Sequence, residues 1–245
     1  MDILLLIISS NGLPHYEKNK AVWRMYMNSY PRIRCYFLES GTDETRIYPC
    51  LERDTLYLWG EESFPNILKK TLDAMAYFLS ERHYDFIVRT NLSSVWCFDA
   101  LETYLRSLPS TGIYSGPRGP YYHLRELYFW FYFVGGMGII MSHDVCRLLL
   151  ENRALAEDFR NMDDIDIGYA MHRLGVSIRP IHYCSVGSLT DFEEKKSAIR
   201  WDEHIFYRAK KMDGDREEEP IYMERMVHLI YPGLYKTTVA EVGSM

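Results

Sequence analysis

Short apolar runs alternate with stretches of helical periodicity along most of this chain. Residues 3–9 are almost continuously Ile and Leu, which predicts a buried strand, and Ser9-Ser10-Asn11-Gly12 stops it in turn chemistry. A helix is expected around 17–29, and strands over 33–39 and 54–59. Over 63–81 the spacing of Ile67, Leu68, Leu72, Met75, Ala76 and Leu79 predicts an amphipathic helix, with Ser63 placed to cap it and Pro65 tolerated in its first turn. A strand over 85–90, a short helix over 98–107 and a short strand over 112–115 follow. Beyond the aromatic block 121–133 come predicted helices at 143–152 and 164–174, the second with Gly175 as its C-terminal cap, and a last strand at 177–183. Strands that alternate with helices imply an α/β fold with a mostly parallel central sheet flanked by helices.

The 245 residues, 47% hydrophobic, are enough for one substantial core. The expected organisation is a single domain over 1–187 and a charged C-terminal extension over 188–245 that wraps it and completes its ligand site. A net charge of −6 argues against nucleic acid as a partner. The apolar run at 3–8 is far shorter than the roughly 20 residues of a transmembrane segment and lacks a signal peptide's basic start. The five cysteines are scattered without a CxxC pair, so they are expected to be reduced core thiols rather than zinc ligands or a disulfide framework, which predicts a cytoplasmic protein.

Four segments, in order, resemble the β-1,3-galactosyltransferase and fringe group of inverting glycosyltransferases. Asn66-Ile67-Leu68-Lys69-Lys70-Thr71-Leu72 is similar to that group's Asn-Leu-Thr-Leu-Lys-Thr-Leu helix. Asp85-Phe86-Ile87-Val88-Arg89-Thr90-Asn91-Leu92-Ser93 falls where the group has a strand ending in Lys-Thr-Asp-Asp-Asp. Gly135-Gly136-Met137-Gly138-Ile139-Ile140-Met141-Ser142 resembles Gly-Gly-x-Gly-Tyr-Val-x-Ser. The fourth, from Asp163-Asp164-Ile165 through Leu174-Gly175-Val176, resembles Glu-Asp-Val-x-x-Gly and the helix that follows it.

The resemblance implies the Rossmann-like GT-A fold and transfer of a hexose from a nucleoside-diphosphate sugar, UDP-linked, to a glycan hydroxyl with inversion. Such a reaction needs a base for the acceptor hydroxyl. By the family pattern Asp164 is that base and Asp163 stands in for a supporting glutamate; Asp166 is expected to be solvated or to sit behind them. Taken alone, the same aspartates read first as charge on a first helical turn, and it is their alignment with the Gly-Gly-x-Gly segment that favours the catalytic reading. Gly135, Gly136 and Gly138 permit close backbone approach and positive φ, for a bound sugar or simply for a tight bulge. Ser9, Ser10, Lys70, Asp73 and Arg89 are further candidates for the donor site, with Asn91 and Ser93 at the end of the same strand as Arg89.

The departure from the family is Asn91-Leu92-Ser93. Carboxylates at this place hold Mn²⁺ or Mg²⁺ in the family, whereas here one amide and one hydroxyl remain. Either the chain is an inactive nucleotide-sugar or carbohydrate-binding relative, or transfer is metal-independent or only weakly metal-dependent. In the second case His204, Arg208, Lys210 and Lys211 are candidates to meet the diphosphate, His204 and Arg208 sharing a face if their segment is helical. Alternation through Tyr121–Phe133 would send about half of its aromatic rings into the core and leave the rest, beside Arg125, for an acceptor sugar.

Overall fold

A computed structural model describes residues 1–123, 128–210 and 216–234. Arg125 and Lys211, named above, lie outside the described residues. In chain order the first strands are β1 (Ile3–Ile8), β2 (Ile33–Gly41), β3 (Cys50–Glu52), β4 (Thr55–Trp59), β5 (Phe86–Asn91) and β6 (Ser94–Trp96). The rest are β7 (Tyr114–Gly116), β8 (Arg118–His123), β9 (Tyr128–Val134), β10 (Ile139–Ser142), β11 (Ile178–Pro180), β12 (Cys184–Ser185) and β13 (Phe206–Arg208). The helices are α1 (Pro14–Arg24), α2 (Ile67–Glu81), α3 (Phe98–Arg106), α4 (His143–Glu151), α5 (Arg153–Glu157), α6 (Asp163–Arg173), α7 (Leu189–Lys195) and α8 (Glu219–Ile230).

These elements form two compact units. The first comprises Met1–Gly12, Pro31–Asn91 and Leu108–His182; the second comprises Leu13–Tyr30, Leu92–Ser107 and Tyr183–Met245. The expected boundary at residue 187 therefore falls inside the second unit, because the tail clusters with two earlier segments rather than standing as an extension of its own.

In the first unit an eight-stranded sheet runs in the order β11-β7-β10-β5-β1-β2-β4-β3. Strands β5, β1, β2 and β4 are parallel neighbours, while β10 is antiparallel to both β5 and β7. Ile3 through Ile7 are completely buried, as a strand covered on both faces requires, which is why the run is apolar without alternation. Helix α2 buries Leu68, Leu72, Met75, Phe78 and Leu79 at three- and four-residue steps; Ala76 faces solvent instead of joining that face. Truncating a completely buried side chain such as Leu72 to Ala costs about 2–5 kcal/mol. Ser63 does not cap α2: a 3₁₀ turn at Phe64–Asn66 intervenes, and the Ser63 hydroxyl accepts from Asn66 Nδ2 at 3.0 Å.

The end of α6 is as expected. Gly175 takes φ +71°, its N–H reaches His172 O at 3.2 Å, and Val176 N–H reaches Met171 O at 2.9 Å, the paired bonds of a Schellman stop. The aromatic block folds into the β8–β9 hairpin, with a bulge between Tyr121 and Tyr122. Alternation holds less well there than expected: Phe131 is buried, while Tyr128, Phe129, Trp130 and Tyr132 remain exposed.

The second unit is built on a small sheet, β12-β13-β6, and on α1, α3, α7 and α8. Its core is aromatic. Tyr26 stacks on Tyr231 at 5.1 Å and packs against Phe98, and the Tyr231 hydroxyl accepts from Phe98 N–H at 3.0 Å while donating to Trp96 O at 2.6 Å. Trp23 Nε1 donates to the backbone Leu92 O at 2.8 Å, and the Leu92 side chain is itself buried, which suits an apolar residue at position 92. Cys35, Cys97 and Cys146 are buried thiols as expected; Cys50 and Cys184 are only half-buried, and all five are free. No described helix is long and apolar enough to cross a membrane.

Candidate active site and a cation cluster

In the first unit the chain adds β2 and β4 on one side of β1 and then crosses to add β5 on the other. Open α/β sheets bind ligands at the carboxyl ends of the strands where the order reverses in this way, here beside Ile8 and Asn91, which are partners across β1 and β5. Because β10 is antiparallel and its Ile139 sits opposite Arg89, the Gly135–Gly138 turn before it lies at that same edge.

Arg89 organises this edge. Its guanidinium donates to Asn91 Oδ1 at 2.8 Å and to Gly136 O, and forms an ion pair with Asp163. Both members of the pair are buried, with side chains 2% and 8% exposed. Burial pushes the Asp163 carboxyl up, and the Arg89 charge pulls the other way. Asp163 is thus a buried brace for the start of α6, and the Arg89 guanidinium joins it to Asn91 and Gly136.

Asp164 differs from its neighbour. It is only half-buried, accepts Gly136 N–H on Oδ2 at 2.8 Å and Ile165 N–H on Oδ1 at 3.0 Å, and stands in the first turn of α6, where the helix dipole favours an anion. The contact with Gly136 depends on the glycine. A Cβ there would overlap the Arg89 guanidinium and stand 3.3 Å from Asp164 Oδ2, so close approach is what this position requires. The expected positive φ is found elsewhere, at Gly116 (+152°), where a Cβ would collide with Gly138 O. Asp166 is buried rather than solvated; it accepts Asn161 N–H at 2.8 Å, and burial raises its pKa to about 6.

The other candidates of the first unit are held in local networks. Lys70 is buried and donates to Ser9 O at 2.9 Å and to both Glu62 oxygens at 3.0 and 2.9 Å, so its ammonium is engaged within the fold. Ser9 Oγ in turn donates to Glu39 at 3.1 Å. Ser10 accepts Gly12 N–H at 3.1 Å in the turn after β1. Asp73 bridges Lys69 at 2.5 Å and Arg153 at 3.1 Å. Glu39 and Glu62 were not foreseen from sequence; the one signal was a carboxylate directly after the apolar run at residues 35–38 of β2.

The remaining candidates belong to the second unit. Ser93 and Ser94 are buried and accept from Arg216 Nη2 and Arg208 Nη1 at 3.3 and 3.4 Å. His204 and Arg208 share no helix face, because 201–205 form turns and Phe206–Arg208 is β13; the His204 ring instead meets Tyr207 at 5.5 Å. Sequence reasoning missed Arg216, hidden in the charge run around it. The donor set at Asn91-Leu92-Ser93 does not suit a hard divalent ion: Asn91 Oδ1 takes Arg89, Leu92 is buried and has no ligand atom, and Ser93 Oγ takes Arg216. Among the described residues no group of three His, Cys, Asp or Glu side chains is placed to hold a metal ion.

No protein-family profile and no curated protein matches this sequence. Among solved structures, the crystal structure of a glycosyltransferase involved in the glycosylation of the major capsid of PBCV-1 matches 91% of this chain and 100% of its own, with a TM-score of 0.52 and 13% identity. The chain shares its fold with that glycosyltransferase. At this identity the likeness is one of architecture, and it accords with the α/β organisation read from the sequence.

Proposed function

We propose that the chain is an inverting glycosyltransferase that moves a hexose from a nucleoside-diphosphate sugar, UDP-linked, to a glycan hydroxyl without a bound divalent metal. The observation that carries this reading is Asp164: a half-exposed carboxylate fixed by Gly136 N–H at the start of α6, at the sheet edge where the strand order reverses, on a glycosyltransferase fold. Asp164 takes the acceptor proton as the acceptor oxygen bonds to the anomeric carbon, and the carbon–oxygen bond to the nucleoside diphosphate breaks on the opposite face with its electron pair. The Arg89–Asp163 pair and the Gly136 amide hold the base in place, so little reorganisation is needed during reaction.

The exposed rings of Tyr122, Phe129 and Tyr132 support a glycan acceptor, whose C–H faces pack on aromatic surfaces. Asp164→Asn retains an acceptor for Gly136 N–H but removes the base. Transfer is expected to fall by at least about 100-fold, within the usual contribution of a general base, while donor binding survives. Unchanged turnover in this variant would sink the assignment. The replaced Asn91-Leu92-Ser93 triplet favours a second reading, a catalytically inactive binder of nucleotide sugar or carbohydrate. Release of UDP from donor with and without EDTA separates the two: EDTA-insensitive release belongs to the enzyme, and no release to the binder.

A further inference from the structure

The second unit gathers three cations around the segment that follows β5 in sequence. Arg208, at the end of β13, pairs across the ladder with Ser94 of β6, and its Nη1 donates to the Ser94 hydroxyl. Ala209 N–H extends the register to Ser93 O at 2.8 Å, and Lys210 comes next. Arg216 donates to the Ser93 hydroxyl and forks onto Glu219 through Nε and Nη2 at 2.6 and 2.7 Å, with its guanidinium 5.5 Å from the Tyr16 ring. Burial lowers the Lys210 pKa, Arg208 and Arg216 lower it further as like charges, and Glu219 opposes them.

In each contact the serine accepts and the arginine donates, so the hydroxyls orient guanidinium groups. The segment that resembles a metal-holding motif here holds cationic side chains. Among the described residues Arg208 and Arg216 act on Lys210 as like charges, with Glu219 opposing them, and a multivalent anion relieves that repulsion. Guanidinium groups suit phosphate oxygens, and Lys210 adds a point charge on a flexible stem to two oriented planes.

We infer that Arg208, Lys210 and Arg216 form a binding site for the diphosphate group of a nucleoside diphosphate. The inference rests on the reading that the donor is a nucleoside-diphosphate sugar, and it assigns the diphosphate's counter-charge to side chains.

The test is calorimetric titration of the full chain with inorganic pyrophosphate and with UDP, both in EDTA. Wild type is expected to bind both. Lys210→Gln is expected to weaken each by about tenfold or more, the effect of losing one charge-assisted hydrogen bond, and Arg216→Lys to weaken them while retaining the charge. Thermal melts of each variant identify any that misfolds, and Lys210, half-buried, is the safer probe. Equal binding of UDP by wild type and Lys210→Gln overturns the inference and leaves the transferase reading standing. Binding that appears only when Mg²⁺ or Mn²⁺ is added overturns it as well. Absence of binding to either probe overturns it too, and UDP release by the Asp164 variants then decides the transferase reading separately.

Discussion

Arg89 and Asp163 meet as a buried ion pair, one in the middle of β5 and the other at the first residue of α6. Removing one partner leaves an uncompensated charge in a site closed to water. Arg89→Met or Asp163→Leu is expected to destabilise the protein, Arg89→Met by about 3–5 kcal/mol in chemical denaturation. The double variant Arg89→Met with Asp163→Leu should recover much of that loss, because no lone charge remains. Additive losses in this cycle would show that the two groups do not interact.

Gly136 offers a local test of how closely the edge is built. Its own φ is not positive, so Gly136→Ala fails by volume and not by backbone strain. The new methyl displaces the Arg89 guanidinium and with it the brace on Asp163, at a cost of about 1–3 kcal/mol. Gly135→Ala meets only Met137 Cε at 3.4 Å and Pro117 O at 3.7 Å, ordinary contacts, and serves as the control. Melting temperatures measured on both variants check the difference; equal effects would mean the approach at Gly136 is not tight.

Much of this architecture was legible in the sequence because burial on both faces writes itself directly into composition. The run at residues 3–8, the period of α2 and the Gly175 stop are each local signals, and each is found where expected. The second unit was not legible for a physical reason. Its segments, 13–30, 92–107 and 183–245, are distant in sequence, and each alone is too polar or too short to announce a core. Helix α8 buries Tyr222, Met223, Met226 and Val227 at helical spacing, yet the charged run Arg216–Glu219 leads into it and Glu224–Arg225 interrupts its apolar pattern. At the candidate site the pairing of Asp163 and Asp164 with the glycine turn was readable as motif. The choice of Arg89 as their partner was not, since nothing local marks which strand cation lies opposite a helix start 74 residues away.

Asp166 makes stability depend on pH in a direction opposite to that of most surface carboxylates. Burial raises its pKa from 3.8 to about 6, so the folded protein holds this proton more tightly than the unfolded chain. Its favourable contribution is present below about pH 4 and is lost as pH rises through about 6. The shift corresponds to about 2–3 kcal/mol. Asp166→Asn keeps an acceptor for Asn161 N–H and removes the charge, so its stability relative to wild type should rise between pH 4 and pH 7. Urea unfolding at both values measures this, and a pH-independent difference would place the Asp166 carboxyl in a solvated setting.

The exposed rings of the β8–β9 hairpin let the proposed acceptor surface be tested apart from the chemistry. Phe129 and Tyr132 lie 4.8 Å apart between ring centres, both more than two-fifths exposed, and Arg118 covers the Tyr132 ring at 4.4 Å. A ring that already stacks a guanidinium is oriented before any ligand arrives, which lowers the entropy lost when a sugar packs on the cluster. Because both rings are exposed, replacing them should alter folding stability by no more than about 0.5 kcal/mol each. Phe129→Ala combined with Tyr132→Ala is therefore expected to raise KM for a glycan acceptor by about thirtyfold, on the scale of about 1 kcal/mol for each of the two lost aromatic contacts, while UDP release by donor hydrolysis in the absence of acceptor stays unchanged. Initial-rate measurements over a range of acceptor concentrations decide it: an unaltered acceptor KM removes the hairpin from acceptor recognition, and a matching fall in donor hydrolysis assigns the effect to the fold instead.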